Sequence, residues 1–201
     1  MQRLFLLAFI WGWSFLFIKV AGEGMTPSTV AWARIALGAA VLALVLHSQG
    51  GRLPLGRTNV RHFAVTTLAG NIIPFTMLAY AEHHITSALT AVLNASTPLF
   101  TALFAAIALS ERLRPVQVLG LVIGVVGVAV AAGFGVSDLT GASLWGSLAA
   151  AGAGAGYGFA FVYMRRHLIG IPPLAAAAGQ LTVGAAIAWP LAVSTSLSSG
   201  L

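Results

Sequence analysis

The chain has 201 residues, of which 59% are apolar and only 7% charged. A soluble domain carries about 25% charged residues, so the composition excludes a water-coated globule and predicts an all-α, polytopic transmembrane helix bundle. The formal charge of +6 does not mark a nucleic-acid binder, because the arginines fall between apolar runs and form no single patch.

A hydrocarbon core about 30 Å thick takes roughly 20 helical residues to cross. Seven stretches reach that length, at 4–21, 28–48, 62–80, 86–109, 115–134, 144–164 and 172–194. The first begins after Arg3 like a signal peptide, but it is dense in aromatics, ends in Lys19 and offers no small-x-small cleavage site. It is read as a retained helix. The second carries Arg34 about two turns from its outer end, and the third, the most polar, carries Asn71 three residues before Pro74. In the fourth, Asn94 and Thr97 precede Pro98. A proline inside a helix leaves a backbone carbonyl unpaired and kinks the rod, and polar side chains beside such kinks can line a cavity at membrane depth. The fifth opens on Pro115, which the first turn of a helix tolerates. The fifth and sixth carry glycines four apart (Gly120 and Gly124; Gly152 and Gly156; Gly154 and Gly158), a spacing that suits close helix crossing without naming a partner. The seventh is expected to be interrupted at Pro190.

Charge gives the orientation. With these spans Arg3, Arg52, Arg57, Arg61, Arg112, Arg114, Arg165 and Arg166 all fall on one face of the membrane, while Glu23, Glu82 and Asp138 fall on the other. The positive-inside rule then predicts a cytoplasmic N-terminus in a plasma or inner membrane. All four acidic residues are expected in loops, so no carboxylate is expected at the midplane to relay protons.

An internal repeat appears at an offset of 146. Trp11-Gly-Trp-Ser-Phe-Leu-Phe-Ile-Lys19 aligns without a gap on Tyr157-Gly-Phe-Ala-Phe-Val-Tyr-Met-Arg165, and the same register sets Pro27 on Pro173 and Gly38 on Gly184. The repeating unit therefore has five helices. Five is odd, so the second unit enters from the opposite face, a plan that recurs in secondary transporters with the substrate site at the repeat interface. Residues 1–138 are expected to form the first repeat and 139–201 the first two helices of a second, truncated one.

These residues resemble the EamA-type transporters of the drug/metabolite transporter superfamily. The likeness rests on Trp11-Gly12 to Lys19, on Arg34 ahead of a small-residue run, and above all on Thr97-Pro98-Leu99-Phe100-Thr101-Ala102-Leu103 followed by Ser110-Glu111-Arg112-Leu113, Gln117 and Gly120 to Gly127. The family has ten helices in two inverted halves, and the resemblance implies export or exchange of small metabolites. The expected function is thus alternating-access transport of amino-acid-like or other small organic solutes. The alternative is a non-transporting membrane fragment or a seven-helix receptor or structural protein.

Six residues are candidates for solute binding: Trp13, Lys19, Arg34, Asn71, Asn94 and Tyr157. Each has a plainer reading. Lys19 and Arg34 could snorkel to the interface, although a charge within the bilayer marks a functional candidate by default. The two asparagines could bond between helices, and Trp13 and Tyr157, too deep for interface anchors, could fill space between the halves or line a pocket for an apolar body. Thr97 reads as structural and Trp145 as an interface anchor. His83 and His84 beside Glu82 lack the further ligands a metal needs, so no metal and no cofactor is expected. Catalysis is not expected either, since there is no cysteine, no H-E-x-x-H helix and no pair of intramembrane acids. A retinal protein would need a lysine other than Lys19, which sits in the first helix. The expected partners are a small-molecule solute and the lipid bilayer, with no nucleic acid. A homodimer, or a second chain supplying the last three helices, would complete the fold.

Overall fold

A computed structural model describes residues 2–110, 113–131 and 141–199. Glu111, Arg112, Asp138 and the end of the expected fifth span lie outside the described residues. Seven helical rods run through the rest: α1 (Gln2–Gly22), α2 (Pro27–Ser48), α3 (Arg57–Glu82), α4 (Ser87–Ala108), α5 (Pro115–Ala131), α6 (Gly141–His167) and α7 (Pro173–Ser199). No strand occurs among the described residues. Of these rods α2, α3, α4 and α7 are long and apolar enough to cross a membrane. With 27 residues α6 has the length as well, but its many glycines lower its mean hydropathy.

Two prolines shape the middle of the bundle, each in its own way. In α3 the helix widens into a π-helical turn at Leu68–Ile72, and the Ile73 N–H reaches back five residues to the Leu68 carbonyl. Pro74, which has no N–H for the carbonyl four residues earlier, follows directly, so the wide turn absorbs the misfit. In α4 the helix breaks between Asn94 and Thr97. Pro98 cannot bond the Asn94 carbonyl, and the Thr97 hydroxyl donates to it instead at 2.7 Å. The role is structural, but the bond stays within α4, whereas the expectation for Thr97 is a bond between helices.

Three expectations need correction. The third span begins at Arg57, not residue 62, so Arg57 and Arg61 belong to the opening turns of α3. Helix α7 is not interrupted at Pro190 but continues through it to Ser199. There Trp32 of α2 braces the segment, donating its indole N–H to the Ala185 carbonyl at 3.2 Å and meeting Trp189 edge-on at 4.9 Å. Finally, Glu82 is no loop residue. It closes α3 with only 5% of its surface exposed, accepts a hydrogen bond from the Ser87 hydroxyl at 2.7 Å, and leaves Oε1 without a partner.

Glycine sets the packing of α6, which wedges between α3 and α4. A Cβ on Gly156 would stand 2.7 Å from the Ala69 carbonyl oxygen of α3, and one on Gly158 would stand 2.7 Å from the Thr101 nitrogen of α4. The two four-residue glycine spacings thus serve two different neighbours.

Helices α2 and α7 pack antiparallel. Ser28 of α2 bonds Thr195 near the far end of α7 at 2.6 Å, while Leu46 clusters with Ala175 and Ala178 at its start. Their crossing is self-complementary. A Cβ on Gly38 would lie 2.9 Å from Leu181, and a Cβ on Gly184 would lie 3.1 Å from Ile35. Gly38 and Gly184, like Ile35 and Leu181, are offset by 146 residues, so each contact is the image of the other, as in a two-fold interface.

Arg165 and Arg166, expected in a loop, belong to the last turn of α6, and among the described residues basic side chains from several elements meet at that end of the bundle. Arg166 donates to the Ala108 carbonyl at 3.3 Å, Arg52 shares a surface hollow with Gly170 and Pro172, and His62 at the start of α3 bonds the Tyr163 hydroxyl at 2.9 Å. At the other end His83 packs against Gly22, and His84 against Gly146.

Candidate functional site

Arg34 projects from α2 toward two neighbours. Its Nη2 donates to the Ser14 hydroxyl of α1 at 2.9 Å, and its guanidinium carbon lies 4.1 Å from the centre of the Phe75 ring of α3. A desolvated cation over an aromatic face gains about 2 kcal/mol, which offsets only part of the cost of removing the charge from water. Nη1 is buried without any hydrogen-bond partner.

This guanidinium lines a cavity of about 510 Å³ between α2, α3, α6 and α7, with Asn71, Phe75, Tyr157, Phe161 and Gln180 among its walls. The space follows from the local structure. The π-helical turn carries Asn71, which is buried and lies 3.5 Å from the Thr67 hydroxyl. Small residues on the facing helices, Ala160, Ala176 and Ala177, leave the volume open. Gln180 reaches from α7 to the Thr66 carbonyl at 3.4 Å, just ahead of the wide turn. Among the described residues no carboxylate lines this cavity.

Tyr157 packs edge-on against Phe75 at 6.3 Å and is also a wall of a second cavity of about 440 Å³. That cavity holds Asn94, whose Oδ1 is buried and unpartnered; such a group forfeits about 1–3 kcal/mol unless something bonds it. Phe161 belongs to both cavities and to a third, of about 440 Å³, which includes Thr101, Gln117 and Arg165. The three adjoin one another along α6 and reach the arginine-rich end.

The structure therefore brings Arg34, Asn71 and Tyr157 around one cavity and sets Asn94 in the adjoining one. Trp13 and Lys19 are not among the residues lining these cavities. Trp13 sits on α1 between Phe9 and Phe17 with 46% of its surface exposed, and Lys19 is exposed near the end of α1, where its charge bears on Glu82. Four residues at the site escaped the sequence reading: Ser14, Phe75, Phe161 and Gln180. Gln180 carried a signal, an amide alone in an apolar run. Phe75 and Phe161 look like any core residue.

Residues 3–133 match the model of the EamA-like transporter family, including all of α1 to α5 from Arg3 onward. The chain belongs to that family. The chain is 24% identical over 139 residues to the uncharacterized transporter YoaV of Bacillus subtilis, covering 69% of this chain and 48% of that protein. It is 29% identical over 141 residues to a probable terminal-alkyne amino-acid exporter of Streptantibioticus cattleyicolor, covering 70% and 47%. The matches thus span about half the length of these relatives. No solved structure matches the chain.

Proposed function

We propose that the chain carries the solute-binding seam of a membrane transporter for small organic solutes, working by alternating access in the direction of export or exchange. The observation that carries this reading is the cavity itself. It is a largely apolar chamber at the meeting of α2 and α3 with α6 and α7, furnished with one guanidinium, two amides and a phenol. Family membership supports the reading, and export is the activity in the name of one relative. The exchange of Gly38–Leu181 with Gly184–Ile35 supports an inverted duplication, with residues 1–138 as one repeat and 139–201 as the start of the next. Transporters built this way bind solute at the interface between repeats. The collected arginines support a cytoplasmic N-terminus in a plasma or inner membrane.

The test is flux through proteoliposomes holding the full chain, loaded with a panel of radiolabelled amino acids and small organic acids. Saturable efflux, accelerated by the same solute outside, is the expected result. Efflux no faster than from protein-free vesicles would reject the reading. In right-side-out vesicles an impermeant thiol reagent should modify Glu23→Cys and spare Arg57→Cys, and the reverse pattern would invert the orientation.

A further inference from the structure

We infer that the cavity selects organic carboxylates with an apolar or aromatic body, and that it makes no provision for an ammonium group. This rests on the proposal that the cavity is the solute site, and it deepens that proposal by naming the solute's chemistry.

The cation is the first ground. Arg34 has five N–H donors in a planar fork, and among the described residues its side chain donates one hydrogen bond, to Ser14. Nη1 is buried and unpartnered. Phe75 covers one face of the plane, which holds the fork in place without using its donors. No acid lines the cavity among the described residues, and Glu82 lies eleven residues along α3 from Asn71, roughly 16 Å at 1.5 Å per residue. A guanidinium so placed is an uncompensated charge, and a carboxylate is the group whose two oxygens match its fork. The same absence of acids leaves a solute's ammonium with no ionic partner.

The remaining walls supply the second ground. Phe75, Tyr157, Phe161, Met164 and Leu181 surround the space, with alanines between them, so the part of the solute beyond its carboxylate meets hydrocarbon and rings. About 510 Å³ accommodates a body of the size of a phenylpropyl group.

Binding to the full chain in lipid nanodiscs, followed by titration calorimetry, decides the matter with three probes: 3-phenylpropionate, its neutral amide 3-phenylpropionamide, and phenylalanine. The unsubstituted chain should bind 3-phenylpropionate saturably, the amide at least tenfold more weakly, and phenylalanine more weakly than the simple acid. Arg34→Gln should weaken the acid at least tenfold and leave the amide unchanged, while Arg34→Lys, which keeps the charge, recovers part of the loss. Equal binding of acid and amide, tighter binding of phenylalanine, no saturable binding to the unsubstituted chain, or indifference of the acid to Arg34→Gln would each overturn the inference. Ala177→Phe, which fills the cavity, separates the two levels. If it blocks the probes while Arg34→Gln does nothing, the carboxylate assignment falls and the site stands. If the acid still binds to Ala177→Phe as before, the cavity is not the site.

Discussion

Gly158→Leu is expected to prevent the bundle from assembling, and Gly158→Ala to lower its stability by about 1–3 kcal/mol, the usual cost of overpacking. The reason lies in what the added carbon would meet. A Cβ at 158 would stand 2.7 Å from the Thr101 nitrogen and 2.9 Å from the Phe100 carbonyl carbon. Both are backbone atoms of α4, so no side chain can swing aside. Helix α6 would have to move off α4, opening the contact that also holds Asn94 and Tyr157 around the second cavity. Gly120 of α5 is the control, because nothing lies within 4 Å of a Cβ built there. Gly120→Ala should be neutral or gain up to about 1 kcal/mol from helix propensity. Thermal unfolding in detergent followed by circular dichroism measures both. Equal melting temperatures for Gly158→Ala and Gly120→Ala would remove the glycine seam as an organising feature.

Arg34→Ala is expected to abolish flux while leaving the protein folded and in the membrane. Trimming the side chain removes the cation from the cavity along with its bond to Ser14 and its stack on Phe75. If Arg34 were only an anchor at the membrane surface, the same change would alter insertion or tilt and leave the rate per inserted molecule intact. Flux normalised to folded protein separates the two, and an unchanged normalised rate would reduce Arg34 to an anchor.

Much of this architecture is legible in the sequence, because hydropathy and proline act locally. The apolar runs give seven rods, and Pro98 gives the break in α4 that Thr97 repairs. What failed depended on neighbours. Pro190 reads as an interruption, yet α7 continues through it, in a stretch where Trp32 from another helix bonds the Ala185 carbonyl and packs on Trp189. Glu82 reads as a loop acid, yet the hydroxyl of Ser87 receives it at the junction with α4. Arg34, Asn71 and Tyr157, which the structure brings around one cavity, stand out in the sequence because polar or deep aromatic residues are costly in lipid. Phe75 and Phe161 were not found, since an apolar wall of a cavity and an apolar core residue have the same letter. The placement of Trp13 on the outer side of α1 turns on which face of that helix meets the bundle. Its aromatic-rich sequence, apolar on every side, leaves that face unmarked.

The chain has no cysteine, so a single introduced thiol reports its own surroundings without background. The decisive comparison is Gln180→Cys, at the cavity wall, against Leu37→Cys, at a residue of α2 with 69% of its surface exposed. If solute passes through a watered seam between α2, α3, α6 and α7, a hydrophilic thiosulfonate reagent modifies position 180 quickly, the transported solute slows that reaction, and position 37 stays inert in lipid. An inert thiol at 180 beside a reactive one at 37 would mean that the solute path lies elsewhere.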